Sequence, residues 1–155
     1  MENLLQKMII CRVGNDEFGI SINQVVSIER LQTITPFPNR SPYVLGVTTV
    51  RNIVTPIVDM CSALKGEPMK STDDTRVIIV QAFDSFFGLV VDAATDILDI
   101  PAESIQRPNL LETRNVSYLK GISETNERLL VLLDIEKLLE DTTNLDELRE
   151  IIQSL

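Results

Sequence analysis

Two stretches of the chain, MIICRVGNDEFGISI (residues 8–22) and VIIVQAFDSFFGLVV (residues 77–91), decide the fold because one repeats the other. Each stretch consists of two apolar, β-branched runs around a short polar turn, which is the pattern of a β-hairpin. The offset is 69 residues for the first run (8 to 77) and for the Phe-Gly pair of the second (18 to 87), and Ile28 and Ile97 keep it. The chain therefore contains an internal duplication.

A second pair of segments repeats at an offset of 75. YVLGV at residues 43–47 matches YLKGI at residues 118–122, and IVDM at residues 57–60 matches LLDI at residues 132–135. The change of offset places a six-residue insertion in the linker of the second copy. Four blocks in the same order, with aromatic, glycine and acidic positions retained, favour duplication over chance.

The repeats predict a mainly β fold. The pseudo-repeats, approximately residues 8–64 and 77–139, each offer two hairpins, and the Gly-, Pro- and Asp-containing loop 65–76 joins them. A four-stranded unit has two open edges, which closure into a small barrel would remove. We therefore predict two small barrels packed together as a single domain over residues 1–155.

Short helices are predicted near the C-terminus. Asp134 is placed to cap one helix, and Asn144 to cap an amphipathic helix over residues 144–155. Apolar residues of the second helix fall 3, 6, 7 and 10 positions beyond Leu145. This stripe packs either on the core of its own domain, which is the favoured interpretation, or on a partner.

The charge balance and hydropathy argue against nucleic acid and membrane insertion. A net charge of −9 would repel a phosphate backbone. The acidic excess serves solubility, the interpretation we favour, or attracts a basic partner. No apolar run approaches the roughly 18 residues of a membrane span, and Met1 to Lys7 lacks the features of a signal peptide. We expect a soluble cytoplasmic protein.

The sequence predicts no enzyme, cofactor or metal. It contains no histidine, which removes Ser-His and Cys-His nucleophiles and the commonest metal ligand. Cys11 and Cys61 lie among apolar residues without a second ligand at metal spacing, and the glycines form no phosphate-binding loop.

Carboxylates offer the remaining chemistry. Asp92, Asp96 and Asp99 lie close enough in sequence for acid–base catalysis or a hard metal ion. They also alternate with apolar residues as solvated strand positions do, and we prefer that interpretation. Asp59 and Asp134 recur in both copies, which favours a structural cap or turn.

Positions where the copies differ carry the functional signal, because a site need be built in only one copy. Arg51 has Asn126 as its counterpart in the turn of the second hairpin. The arginine is either a solvated hairpin tip or an interface anchor. The enrichment of arginine among binding hot spots supports the anchor.

The segment GVTTVRNIVTPIVD, residues 46–59, resembles the signature G-V-x-N-L-R-G-x-x-x-P-V/I-x-D of the CheW family of bacterial chemotaxis coupling proteins. Supporting features are Phe18-Gly19-Ile20 leading to Val25 and Ile28, and Gly88-Leu89-Val90-Val91-Asp92 leading to Ile97. The resemblance covers roughly residues 7–140.

This resemblance implies two five-stranded SH3-like barrels and an adaptor that bridges the cytoplasmic tip of a chemoreceptor to a CheA-type histidine kinase, whose regulatory domain is similar to CheW. Coupling would be allosteric. Val25 and Arg51 match receptor-contacting positions, and Val77 and Ile79 would line a groove between the barrels. The residues expected at the receptor are Val25, Ser27, Val50, Arg51, Asn52, Val77 and Ile79.

The sequence departs from the family at several positions. Thr49 and Asn52 replace the signature Asn and Gly, Ser27 stands where many relatives carry a glutamate beside the receptor groove, and Cys61 stands where an arginine often follows Asp-Leu. The fold assignment survives, while the choice of receptor stays open. A paralogue serving another array, or a small-ligand sensor using the inter-barrel groove, is the alternative function.

Overall fold

The computed structural model describes residues 4–107 and 118–143. The predicted helix over residues 144–155 lies outside the described residues. The strands are β1 (Leu5–Val13), β2 (Asp16–Ser21), β3 (Val25–Arg30), β4 (Val44–Val50), β5 (Ile53–Asp59), β6 (Arg76–Ala82), β7 (Ser85–Val91), β8 (Ala93–Pro101), β9 (Ile105–Gln106), β10 (Leu119–Thr125) and β11 (Arg128–Leu133). The helices are α1 (Met60–Lys65) and α2 (Ile135–Thr142), and 3-10 turns span Ile22–Gln24 and Ala102–Ser104.

The strands form two sheets, which confirms the mainly β fold. One sheet has six strands in the order β8-β1-β2-β11-β10-β9, and the other has five in the order β3-β6-β7-β5-β4. Strand pairing among the described residues leaves edges in both sheets, in place of the two closed five-stranded barrels that were expected. The sixth strand is the short β9, whose counterpart in the five-stranded sheet is only an isolated bridge between Thr35 and Val47.

The two repeats exchange hairpins, so that each sheet contains strands of both repeats. The hairpin β1–β2 of the first copy pairs with β8 and β11 of the second, and β6–β7 of the second copy pairs with β3 and β5 of the first. The expectation that each repeat closes on itself is therefore wrong at the level of strand pairing. Hairpin signals are local in sequence and carry no information about which hairpin pairs with which strand.

The parallel ladders give the duplication its structural form. Gly19 lies opposite Leu132 in one sheet, and Gly88 lies opposite Ile57 in the other, so the two registers differ by the same offsets as the sequence blocks. A Cβ on Gly19 would lie 2.7 Å from Leu132, and one on Gly88 would lie 2.5 Å from Ile57. The repeated glycines are thus required by close packing across the parallel strands.

Alternating side chains divide the apolar residues into three cores. Along β6, Ile78 and Val80 face a core shared by both sheets. Val77 and Ile79 face the separate core of the five-stranded sheet. The six-stranded sheet has an equivalent core of its own, which includes Met8 and Ile10. This is the period-two alternation of a strand that is buried on both faces.

The helices begin at the repeated aspartates. Asp59 accepts hydrogen bonds from the backbone N–H groups of Cys61 at 3.0 Å and Ser62 at 3.3 Å, and Asp134 accepts one from that of Lys137 at 3.2 Å. The predicted cap at Asp134 and the structural role of both aspartates are confirmed.

The other carboxylates singled out in the sequence serve three separate contacts. Asp92 accepts a backbone N–H from the turn of the first hairpin at 2.7 Å, Asp96 pairs with an arginine of β11 at 2.8 Å, and Asp99 pairs with a lysine of β1 at 3.4 Å. Within residues 4–107 and 118–143, no three His, Cys, Asp or Glu side chains are grouped to hold a metal ion. In the same residues, no helix is long and apolar enough to cross a membrane.

Gly46 is the glycine with the strictest local requirement. Thr35 and Val47 exchange two backbone hydrogen bonds, of 2.8 and 2.9 Å, which hold the connection after β3 against β4. A Cβ at Gly46 would lie 2.3 Å from the carbonyl oxygen of Thr35, and the residue has a φ of +152°. Gly66 has a φ of +75° at the end of α1, but a Cβ there would meet nothing within 4 Å.

We expect Gly46→Ala to lower the free energy of unfolding by more than about 3 kcal/mol, because backbone atoms would have to move apart. Gly66→Ala should lower it by only about 1 kcal/mol, the cost of a left-handed alanine. Urea unfolding followed by far-ultraviolet circular dichroism measures both. Equal losses in the two variants would contradict the close approach at Gly46.

Candidate protein-interaction site

The five-stranded sheet carries a shallow groove with a cavity volume of about 10 Å³. Its floor is formed by Ile57, Val77 and Ile79, which are all buried. Its walls include Glu29 from β3 and Val50 from β4. The groove is therefore an apolar trough with a charged rim.

The pairing of β3 with β6 sets this rim. Ser27 lies opposite Ile79, and Glu29 lies opposite Val77. Because directly opposed residues of antiparallel strands point to the same face, Ser27 and Glu29 stand on the groove side of β3. Ser27 was predicted from the sequence but Glu29 was not, although the two-residue period of a strand places Glu29 on the same face as Ser27.

The position expected for Val77 and Ile79 needs correction. The family resemblance implied that they line a groove between the barrels. The structure places them in the core of the five-stranded sheet, with 4% and 1% of their surface exposed. Their neighbours Ile78 and Val80 face the layer between the sheets, because successive residues of a strand point in opposite directions.

The tip of the hairpin β4–β5 consists of Arg51 and Asn52. Both residues have positive φ, +50° and +67°, as two-residue hairpin loops require. Asn52 tolerates this conformation well, whereas an arginine there is uncommon. The equivalent turn has the same geometry at Asn126 and Glu127. The scaffold thus imposes the conformation on both copies, and the arginine side chain is what distinguishes the first.

Arg51, Glu29 and Ser27 form a short polar chain along the groove. Nη2 of Arg51 lies 3.8 Å from Oε1 of Glu29, and Oγ of Ser27 donates to the same oxygen at 3.3 Å. The side chain of Arg51 is 68% exposed. An ion pair this long and this exposed to solvent contributes only a few tenths of a kcal/mol to the free energy of unfolding. The guanidinium of Arg51 is therefore available to a partner.

The structure brings together most of the residues predicted to bind the receptor. Ser27, Val77 and Ile79 meet across β3 and β6, and Val50 lines the same groove beside the Arg51–Asn52 tip. Val25 lies elsewhere. It pairs with Val80 at the start of β3, before a bulge, and packs on the shared core.

The equivalent end of the six-stranded sheet has different chemistry. Arg128 donates through Nε to both carboxylate oxygens of Glu17, at 3.2 and 3.1 Å, and through Nη2 to Glu17 and, at 2.8 Å, to Asp96. These hydrogen bonds, first to Glu17 and then to Asp96, raise the pKa of Arg128 above its usual value. The arginine is held by two carboxylates in this sheet.

The five-stranded sheet has no such triad, because its corresponding positions carry other residues. At the repeat offsets of 75 and 69, they are Ile53 for Arg128, Phe86 for Glu17 and Ser27 for Asp96. Ile53 is 43% exposed. One sheet thus has an arginine held by two carboxylates, while the other has a loosely held arginine next to the exposed Ile53.

The surroundings of both cysteines raise the pKa of the thiol. Burial raises the pKa of Cys11 to about 12. Burial, followed by the nearby charges of Asp59, Asp92 and Glu67, raises the pKa of Cys61. Both thiols are therefore protonated near pH 7.

An apolar groove with a charged rim on a β scaffold is typical of protein-interaction domains, and this is the class of protein that the fold and the groove define.

Comparison with known proteins identifies the family. Residues 7–143 match the family model of the CheW-like domain, and the chain belongs to this family. It is 34% identical over 139 residues to the chemotaxis protein CheW of Klebsiella aerogenes, covering 89% of this chain and 84% of the relative. It is 33% identical over 136 residues to that of Bacillus subtilis, covering 87% of each.

A solved structure supports the fold. The scaffolding protein TtCheW from Thermoanaerobacter tengcongensis superposes with a TM-score of 0.80 at 22% identity, covering 89% of this chain and 90% of that one. Together, the family and its chemotaxis relatives define the function as that of a chemotaxis adaptor.

The two arginines make a matched pair for stability. Arg51→Ala should change the free energy of unfolding by less than about 0.5 kcal/mol, because its ion pair is long and solvated. Arg128→Ala should lower it by about 1 kcal/mol or more, because two carboxylates lose their donor. Urea titrations of the two variants and the wild type measure the difference. A larger loss for Arg51→Ala would make that residue a structural arginine.

Proposed function

We propose that this protein is a non-enzymatic, cytoplasmic adaptor that couples the cytoplasmic tip of a chemoreceptor to a CheA-type histidine kinase. The observation that carries the proposal is the convergence of the family signature with the groove. Val50, Arg51 and Asn52 belong to the signature segment. Val50 lines the groove together with Val77 and Ile79, and Arg51 approaches Glu29 on its wall.

The groove supports contact with a receptor through two kinds of interaction. Apolar side chains of the receptor would cover Val50 and Ile53, which are half-buried and exposed, respectively, in the adaptor alone. The exposed guanidinium of Arg51 would donate hydrogen bonds to a carboxylate or carbonyl of the receptor. Desolvated arginines beside apolar contacts are typical binding hot spots.

The kinase would bind through its CheW-like regulatory domain, on a surface that leaves the groove free. A receptor whose contacts with the groove differ between signalling states would then change the free-energy balance of the kinase through the adaptor. This coupling needs no chemistry from the adaptor itself.

The groove favours a protein partner over a small ligand. Ligand pockets in proteins enclose roughly 300–1,000 Å³ and bury most of the ligand. The groove has a cavity volume of only about 10 Å³, which is room for about one water molecule. A small-ligand sensor is therefore the weaker alternative. Binding to a panel of receptors would distinguish the main coupling protein from a paralogue serving another array.

We expect Arg51→Ala to weaken binding to a receptor cytoplasmic fragment at least roughly tenfold, because it removes the exposed anchor beside the groove. Binding of the kinase regulatory domain should not change. Surface plasmon resonance with the receptor and kinase from the same genome measures both.

Asn126→Ala is the matched control, because Asn126 occupies the equivalent turn of the six-stranded sheet. It should bind the receptor as the wild type does. If the folded wild-type protein binds neither receptor nor kinase, the proposed function is wrong. If both variants weaken receptor binding equally, the groove is not the receptor site.

A further inference from the structure

We infer that Glu29 is a specificity-determining residue of the groove, and that it selects a partner carrying a lysine or arginine where the partner crosses β3. The inference rests on the proposed function, since it concerns the receptor that occupies this groove. It adds a second, oppositely charged contact to the one proposed for Arg51.

The position of Glu29 gives it access to a partner. It lies on the groove face of β3 opposite Val77, and its side chain is 29% exposed. It stands at the junction between the apolar floor and solvent. A partner seated in the groove would remove much of the remaining water from its carboxylate.

One oxygen of the Glu29 carboxylate, Oε2, can accept a hydrogen bond from a partner. The closest approach of Arg51, at 3.8 Å, and the hydrogen bond from Ser27 are both to Oε1. Among the described residues, no hydrogen bond is made to Oε2. An ionised carboxylate buried without further donors is costly, so a partner that supplies a cation opposite Oε2 is favoured over one that supplies an apolar or acidic group.

The fold does not require a charge at this position. Under the repeat offset of 69, the counterpart of Glu29 in the six-stranded sheet is Leu98. Leu98 lies opposite Met8, as Glu29 lies opposite Val77, and it packs against the core of its own sheet. The same backbone site thus accepts leucine in one copy, so the carboxylate of Glu29 serves something other than folding.

The neighbouring charges differ between the sheets in the same way. In the six-stranded sheet the acidic residue is Asp96, two positions before Leu98, and it is held by Arg128. In the five-stranded sheet that position is Ser27, and the acidic group stands two residues further along the strand, at Glu29. Its only cation among the described residues is Arg51, at 3.8 Å. The carboxylate of Glu29 is therefore paired more weakly within the protein than the carboxylate of Asp96.

The test compares Glu29→Leu with the wild type, using the cytoplasmic fragment of the receptor as the probe. We expect Glu29→Leu to keep or raise the melting temperature, as Leu98 predicts, and to weaken receptor binding about tenfold. Asp99→Leu is the matched control. It removes one negative charge, at a side chain that is 51% exposed, from β8, the equivalent of β3 in the six-stranded sheet. This variant should bind the receptor within twofold of the wild type.

A double variant separates direct contact from support of Arg51. If Glu29 contacts the partner, Glu29→Leu weakens binding further when it is introduced into Arg51→Ala. If Glu29 acts only by holding Arg51, it has no effect in that background, and the inference is overturned. Unchanged binding by Glu29→Leu alone also overturns it while leaving the proposed function intact. Failure of the wild-type protein to bind the receptor removes both.

Discussion

Close parallel packing between strands of different repeats is the constraint on which the rest of the structure depends. Gly19 and Gly88 allow β2 and β7 to approach β11 and β5, where Leu132 and Ile57 fill the space that a Cβ would occupy. These contacts join the first hairpin of each repeat, β1–β2 or β6–β7, to a strand of the other repeat. They also build the groove, because its walls at Glu29 and Val50 come from the first repeat and its floor at Val77 and Ile79 from the second.

The duplicated scaffold separates framework from function. Framework features recur in both copies: the aspartate caps of α1 and α2, the close-packed glycines, and the positive-φ conformation of the hairpin turns. The sheets differ at one end. At this end the six-stranded sheet has the ion cluster around Arg128, and the five-stranded sheet has only the long ion pair between Arg51 and Glu29. The same backbone thus carries an arginine held by two carboxylates in one sheet and a loosely held arginine in the other.

The sequence was most informative where the signal is local. It predicted the mainly β fold, the family and the cap at Asp134, because each depends on neighbouring residues or short motifs. It missed the hairpin exchange, since pairing between β2 and β11 depends on residues 113 positions apart, such as Gly19 and Leu132. The same gap misplaced Val77 and Ile79 and hid Glu29. The position of Glu29 beside the groove follows from its cross-strand neighbour Val77 and from its contact with Arg51, more than twenty residues away.

The hairpin exchange also governs how the chain must mature during synthesis. The loop over residues 65–76 looks like a domain boundary. When only the first repeat has left the ribosome, however, neither sheet can form completely, because each needs strands of the second repeat. Hairpin β1–β2 must wait for β8 and β11 with its apolar edges unpaired. Such non-local topology slows folding and exposes strand edges to other chains. Cutting the chain in this loop would therefore yield two fragments that fold by associating with each other, rather than two independent domains.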